Sequence, residues 1–274
     1  MKITIEILEY WLQSMETGES GTFNLSLEGG NIGHPGREAG SVCDFVPGEM
    51  LLPDAVCVLR AEDLPLLPFS SGGRQAIVIG KTPADNLGRR DNLLYVRTDA
   101  TPRELAEKLR RRIEDFLRLE VELFEGILRQ NSPDALFSMA EGILNRDFAI
   151  VDLDMNIVHC TPGYSLSRGL REPIIPRELF QDLISSREFH LAAERKNSFY
   201  YYNAQMDSMD LCRNVLAGGQ YVARVVVLLR EGEEKLPAGG EQLFEFLADT
   251  VQSIYTQMNL LPSRQTREEL RIPT

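Results

Sequence analysis

Three short apolar runs, Ala55-Val56-Cys57-Val58-Leu59, Ala76-Ile77-Val78-Ile79 and Leu93-Leu94-Tyr95-Val96, constrain the fold more than any other feature of the chain. Each is bounded by Pro, Gly or Asp, is too short for a helix, and shows no polar alternation. Runs of that kind suit strands buried on both faces, as in a parallel sheet with helical crossovers. Ahead of them, Thr4 to Met15 spaces Ile7, Leu8, Trp11, Leu12 and Met15 as on one helix face, which predicts an opening helix. Gly18 to Gly48 is rich in Gly, Pro and Ser, and only Thr22 to Leu27 there reads as a strand. Residues 1–100 are therefore expected to form a small α/β domain.

A long helix is expected over residues 101–130. Thr101 serves as its N-cap, with Pro102 at the first helical position, where a missing N–H costs nothing. Two apolar stripes run along it, Leu109, Ile113, Phe116, Leu123 and Ile127 on one side and Leu117, Val121, Phe124 and Leu128 on another. A helix of about 40 Å with two such faces can pack on its own domain and on a partner at once. Its Glu and Arg residues interleave, so Arg110-Arg111-Arg112 reads as a solvated, ion-paired face.

From residue 131 the pattern changes. Ser132-Pro133 opens a helix carrying Leu136, Met139, Ala140 and Ile143. Phe148 to Leu153 and Ile157 to Cys160 read as a hairpin about Asp154-Met155-Asn156. A helix from Ile175-Pro176 through Ile184 follows, then strands over Ser198 to Gln205, Cys212 to Ala217 and Gln220 to Leu229. Gly218-Gly219 is a hairpin signal between the last two. A final helix from Glu241 to about Met258 spaces Phe244, Leu247, Val251, Ile254, Met258 and Leu261 as a heptad seam. It serves either as a core stripe or as a dimer coil. The order helix, hairpin, helix, meander, helix implies a small antiparallel sheet with helices around it.

The segment Phe148-Ala-Ile-Val-Asp-Leu-Asp-Met-Asn-Ile-Val-His-Cys160 resembles the opening of PAS and GAF sensor domains, in which a hydrophobic strand is followed by Asp, a turn and a second strand. With the α/β domain and long helix in front, the layout looks like the N-terminal sensory region of PucR-like (purine-catabolism-regulator-like) bacterial transcriptional regulators. The resemblance implies an α/β N-terminal domain (1–100), a linking helix (101–130), an α+β PAS/GAF-like sensor domain with an antiparallel sheet and a C-terminal signalling helix (131–258), and a tail (259–274). It further implies a cytoplasmic homodimer that senses a small-molecule effector. The alternatives are a stand-alone metabolite-binding or protein-interaction module and, last, an enzyme using His190 or His159 with a cysteine, although no nucleophile motif supports an enzyme. DNA would be reached only through a helix-turn-helix domain, for which the residues after Met258 are too few.

Charge fits that expectation. Asp and Glu total 41 against 29 Lys and Arg, a formal charge of -12, and a surface so acidic repels phosphate backbones. No apolar run exceeds Val225 to Leu229 in length, so no membrane span is expected. No secretory signal is read at Met1 to Glu6, and Cys43, Cys57, Cys160 and Cys212 read as reduced thiols. His34, His159 and His190 lie in no nucleophile or zinc spacing, and His159 and Cys160, adjacent on a strand, face opposite ways. Neither Gly29 to Gly36 nor Ser71 to Arg74 has a phosphate-loop pattern.

The candidate ligand residues lie in the second half. Alternation sets Tyr200 and Tyr202 on one face of their strand and Phe199, Tyr201 and Asn203 on the other. Arg224 shares a strand face with Val222, Val226 and Leu228. A mid-strand Arg needs a partner, which is a ligand carboxylate or phosphate, or else Asp152 or Glu194, unless the side chain snorkels to the sheet edge. Arg213, His159, Tyr164 and His190 are placed in the same candidate pocket. Dimerisation is assigned to Leu109, Ile113 and Phe116 of the long helix and to Phe244, Leu247, Val251, Ile254 and Met258 of the last. No metal or cofactor is expected.

Overall fold

The computed structural model describes residues 1–16, 25–32, 35–52, 54–68, 74–81, 92–154, 156–169, 192, 194–203 and 208–258. The protein is mixed α/β, with two five-stranded sheets, one of them wholly antiparallel. It divides into two compact units, Met1–Arg118 with Pro237–Gln242, and Leu119–Leu236 with the chain from Leu243 onward. The boundary falls within the long helix, whereas the sequence suggested breaks at residues 100 and 130.

In the first unit α1 (Ile5–Glu16) precedes β1 (Leu25–Ile32), β2 (Ser41–Asp44), β3 (Ala55–Arg60), β4 (Gln75–Ile79) and β5 (Asn92–Thr98), and α2 (Pro102–Leu128) follows. The strand order is β1-β5-β4-β3-β2. The apolar runs of β3, β4 and β5 pair in parallel as expected, β2 extends the parallel set, and β1 lies antiparallel against β5. One sheet face carries Cys57, Leu59, Ala76, Val78, Leu93 and Tyr95, against which Cys43, Phe45, Leu51 and Leu64 pack. The alternate residues Val56, Val58, Ile77, Leu94 and Val96 are fully buried on the other face. Among the described residues between β2 and β3 there is no helix, and a 3-10 helix, Ala61–Leu66, stands between β3 and β4. Among the described residues of these two connections the expectation of α-helical crossovers is thus corrected: Phe45, Leu51 and Leu64 from irregular or 3-10 segments cover the sheet. The connection from β4 to β5 lies outside the described residues.

At the head of α2, Thr101 and Glu104 form a capping box: the Thr101 N–H donates to Glu104 at 2.8 Å and the Glu104 N–H to Thr101 Oγ1 at 3.3 Å. Trp11 of α1 meets Phe116 of α2 with ring centroids 5.9 Å apart. Arg112 stacks over Trp11, Arg110 Nε donates to the Val42 carbonyl, and Arg111 pairs with Glu107, so the triple arginine is only partly a solvated face.

The second unit contains α3 (Pro133–Leu144), β6 (Phe148–Asp152), β7 (Ile157–Cys160), α4 (Pro162–Ser167), β8 (Phe199–Asn203), β9 (Ser208–Ala217), β10 (Gln220–Leu228) and most of α5 (Ala238–Gln257). The strands are antiparallel throughout, in the order β7-β6-β10-β9-β8. Gly218 and Gly219, both at positive φ, turn β9 into β10. The helix expected over Ile175 to Ile184 lies outside the described residues.

Burial corrects the dimer assignment. Leu109, Ile113 and Phe116 are at most 8% exposed, and Phe244, Leu247, Val251 and Ile254 are fully buried, so both stripes fill the chain's own cores. Met258 is part-buried and Leu261 is outside the described residues. The other stripe of α2 is the exposed one: Leu117, Val121, Phe124 and Leu128 show 43%, 56%, 63% and 67% of their surface.

The first turn of α5 belongs to the first unit. There Thr4 Oγ1 donates to Gln242 at 2.7 Å, and Gly239 lies so close to α1 that a Cβ would collide with the backbone of Glu6 and Ile7. Gly239→Leu is expected to destabilise the protein by about 1–3 kcal/mol through overpacking, measured as a lowered denaturant midpoint. An unchanged midpoint would contradict this packing.

Candidate ligand-binding face of the antiparallel sheet

Alternation along β9 builds this face. Ser208, Asp210, Cys212 and Asn214 all point to one side, the side on which Ala149, Val151, Tyr164, Phe199, Cys212 and Val226 form an apolar cluster. The opposite residues of β9 look toward α5, where Arg213 forms ion pairs with Glu245 and Asp249.

The short helix α4 delivers the central cation. Thr161 caps it, accepting from the Tyr164 N–H at 3.4 Å, with Pro162 in the first turn. Thr161 Oγ1 also donates to Asp147 at 2.8 Å and accepts from the Phe148 N–H at 3.2 Å, which fixes the helix to the start of β6. Arg168, the residue that ends α4, donates to Ser208 Oγ at 2.8 Å and to Asp210 Oδ1 at 2.5 Å, and lies over the Tyr164 ring at 5.7 Å. The two charged side chains are 8% and 5% exposed. Burial pushes the Asp210 carboxyl up to about 6, against the opposing pull of Arg168 and the Ser208 hydroxyl. The Tyr164 hydroxyl and the Cys212 thiol are also pushed up by burial, Cys212 to about 12.

Beside this pair the surface opens into a cleft of about 410 Å³, whose lining includes Arg146, Arg168, Ser208, Asp210, Leu228 and Arg230. That is within the usual size of small-molecule sites. Arg146 is held by two hydrogen bonds to Glu233, at 2.9 and 3.0 Å, and its side chain is 7% exposed. Arg230 is solvent-exposed. Two arginines are thus immobilised and the third is exposed, an arrangement that can grip a planar anion from more than one side.

Deeper on the same face, Arg224 of β10 donates from Nε to Asn214 Oδ1 at 2.9 Å, and its guanidinium lies over the rings of Phe199 (5.4 Å) and Tyr221 (5.6 Å). Asn214 Nδ2 in turn donates to the carbonyls of Ala192 (2.7 Å) and Arg195 (2.8 Å), binding the segment before β8 to the sheet. The partners of Arg224 thus include a neutral amide and two rings. Asp152, one of the expected partners, instead holds Asn156 through both its oxygens at 2.8 and 2.9 Å.

Of the expected pocket residues, Arg224 and Tyr164 share this face. Arg213 does not, nor do Tyr200 and Tyr202, which pair with Leu211 and Met209 on the other side of β9. The Tyr200 hydroxyl accepts from the Leu236 N–H at 3.0 Å, and Tyr202 is 53% exposed. His159 faces α3: Nε2 lies 2.9 Å from Glu141 and the ring packs near Phe137 and Phe148. Cys160 turns the opposite way onto the Arg224 side, as alternation requires. His190 lies outside the described residues.

The residues that sequence reasoning passed over are Arg168, Asp210, Asn214 and Arg146. The signal for two of them was present: Ser208-x-Asp210-x-Cys212-x-Asn214 is a polar stripe at period two. The strand was expected to begin at Cys212, and its true start four residues earlier at Ser208 brings Asp210 into the sheet.

Among the described residues no group of three or more His, Cys, Asp or Glu is placed to hold a metal ion, and no helix is long and apolar enough to cross a membrane. Compared with protein-family models and with curated protein sequences, the chain matches none.

Proposed function

We propose that the chain is the ligand-sensing, dimerising regulatory region of a cytoplasmic PucR-like transcriptional regulator. Its second unit is the PAS/GAF-like sensor, and DNA is bound through a separate helix-turn-helix domain. The effector is a small metabolite bearing a carboxylate or phosphate, and the protein binds it without turning it over. The observation that carries the ligand assignment is the buried Arg168–Asp210 pair lining an open cleft together with Arg146 and Arg230. Support for the sensor reading comes from α3, the β6–β7 hairpin, the β8–β10 meander and α5, which belong to one unit built on an antiparallel sheet.

Asp210 supplies the test. Above pH 6 its carboxylate competes with a bound anion for Arg168, whereas below pH 6 it is neutral and leaves the guanidinium charge to the ligand. Anion affinity is therefore expected to rise as the pH falls from about 7.5 to 5.5, read by isothermal titration with a panel of monocarboxylates, which stay largely ionised across that range. In Asp210→Asn that dependence is expected to flatten, and Arg230→Ala is expected to weaken binding about tenfold or more, the worth of one charge-assisted contact. A panel that binds nowhere, or binds equally at both pH values, would overturn the assignment to this cleft.

The dimer is supported by the exposed stripe of α2. Leu117, Val121, Phe124 and Leu128 follow one another at intervals of four, three and four, the a/d rhythm of a two-stranded coil. Charges beside the stripe favour an antiparallel second copy. It sets Arg118 beside Glu125 of the partner subunit, while a parallel one opposes Glu120 to Glu125 of the partner subunit.

A stand-alone metabolite-binding or protein-interaction module is the second reading. It is distinguished by whether the native reading frame continues past Thr274 into a basic helix-turn-helix.

A further inference from the structure

In the first unit, Cys43 and Cys57 sit directly opposite each other on the neighbouring parallel strands β2 and β3. Residues so paired point to the same side of a sheet, and their strands run about 4.8 Å apart, inside the Cα spacing of roughly 4.4–6.8 Å that a disulfide spans. The two sulfurs are 4.0 Å apart. Rotation about χ1 is the movement left to make, since a bonded pair stands at about 2.05 Å. β2 is an edge strand, and Cys43 is half-buried while Cys57 is buried. We propose that Cys43 and Cys57 form a redox modification site, in which Cys43 is the attacking and Cys57 the resolving thiol toward low-molecular-weight disulfides such as oxidised glutathione.

The surroundings make the two sulfurs unequal. A hydrogen bond from the Cys57 thiol holds Cys43 down, to about 7, with help from the Arg110 charge. Partial burial and the carboxylates of Asp44 and Glu49 oppose it. Arg110 is kept nearby by the bond from its Nε to the Val42 carbonyl at 3.3 Å. Cys57 is pushed up by that same hydrogen bond, by burial and by the charge of Cys43. Cys43 is thus the thiolate available near neutral pH.

Its attack on one sulfur of the disulfide RSSR forms a protein–SR mixed disulfide and expels RS⁻. That step removes the negative charge and the hydrogen-bond acceptor from Cys43, two of the three causes that kept Cys57 protonated. Cys57 then yields its proton to the released thiolate and attacks Cys43 Sγ, expelling the second RS⁻, which takes up the proton Cys43 lost. The sum is two protein thiols plus RSSR giving one protein disulfide plus two RSH, a two-electron oxidation of the protein matched by reduction of RSSR. The product locks an edge strand to its neighbour. Cys160 and Cys212 take no part, being on the second unit's sheet.

The test is intact-protein mass after exposure of the reduced full chain to oxidised glutathione, followed by alkylation with iodoacetamide. Wild type is expected to lose the mass of two hydrogen atoms, to carry no glutathione, and to alkylate two fewer cysteines, with the new bond mapped to Cys43–Cys57. Cys57→Ala is expected to hold a stable glutathione adduct at Cys43, and Cys43→Ser to gain neither adduct nor bond. The alkylation rate of Cys43 in untreated wild type, which depends on no variant folding, is expected to rise through a midpoint near pH 7. A persistent adduct in wild type, a bond involving Cys160 or Cys212, a subunit-linking disulfide, or an alkylation midpoint near that of an ordinary thiol would each overturn the proposal.

Discussion

Phe124→Glu, alone or with Val121→Glu, is expected to convert the protein from a particle of twice the 30.9 kDa chain mass to one of that mass across micromolar concentrations, as measured by light scattering. Both side chains are more than half exposed on α2, so the substitutions disturb no core of the single chain, and the unfolding midpoint of the monomer should barely change. Buried in a helix pair, a carboxylate at either position would lose its hydration with no partner of opposite charge, which costs more than a small coiled coil can supply. The orientation has its own readout. Arg118→Glu alone should loosen the dimer by setting Glu against Glu125 of the partner subunit, and adding Glu125→Arg should restore it. A wild-type mass equal to one chain, or a Phe124→Glu variant that remains dimeric, would remove the helix from the interface.

The second large effect concerns the Arg168–Asp210 pair. Arg168→Met is expected to cost about 3–5 kcal/mol at pH 8, because it leaves a carboxylate buried without its cation. With only the Ser208 hydroxyl left to oppose burial, the Asp210 carboxyl rises further above its present value of about 6. The penalty should therefore be smaller at pH 5, where the folded protein keeps the proton. The sign follows from linkage: where the native state holds a proton that the unfolded chain has released, stability falls as pH rises through that window. The double variant Arg168→Met with Asp210→Leu should recover most of the loss, since apolar side chains of similar volume fill the space without a desolvated charge. Urea titrations at the two pH values measure all three. Equal losses at pH 5 and pH 8 would mean that Asp210 is solvated, contrary to its burial.

Much of the fold was legible because hydrophobic period is a local property. The runs of β3, β4 and β5 announced a parallel set, and Gly218-Gly219 announced the final hairpin. Less visible were β2, four residues long, and the antiparallel addition of β1 through Gly29 and Gly30, since neither has an apolar run to mark it. The site was less legible for a different reason. Face membership follows from strand register, so one starting residue placed wrongly on β9 removed Asp210 from view, and a bulge between Tyr221 and Ala223 breaks the simple alternation of β10. The two stripes of α2 could not be ranked from composition. Which of them faces a core depends on what packs there, and Trp11 against Phe116 is a pairing of residues 105 positions apart.

The first unit takes its last turn of helix, Pro237–Gln242, from beyond the whole second sheet. On the ribosome that gap has a duration. The 119 positions from Arg118 to Pro237 emerge over roughly 6–24 s at about 5–20 residues per second, during which the N-terminal sheet exists without the segment that bonds Thr4 and packs Gly239 on α1. A nascent chain stalled before residue 237 would hold an unfinished N-terminal unit, and emergence of α5 would complete both units in one event.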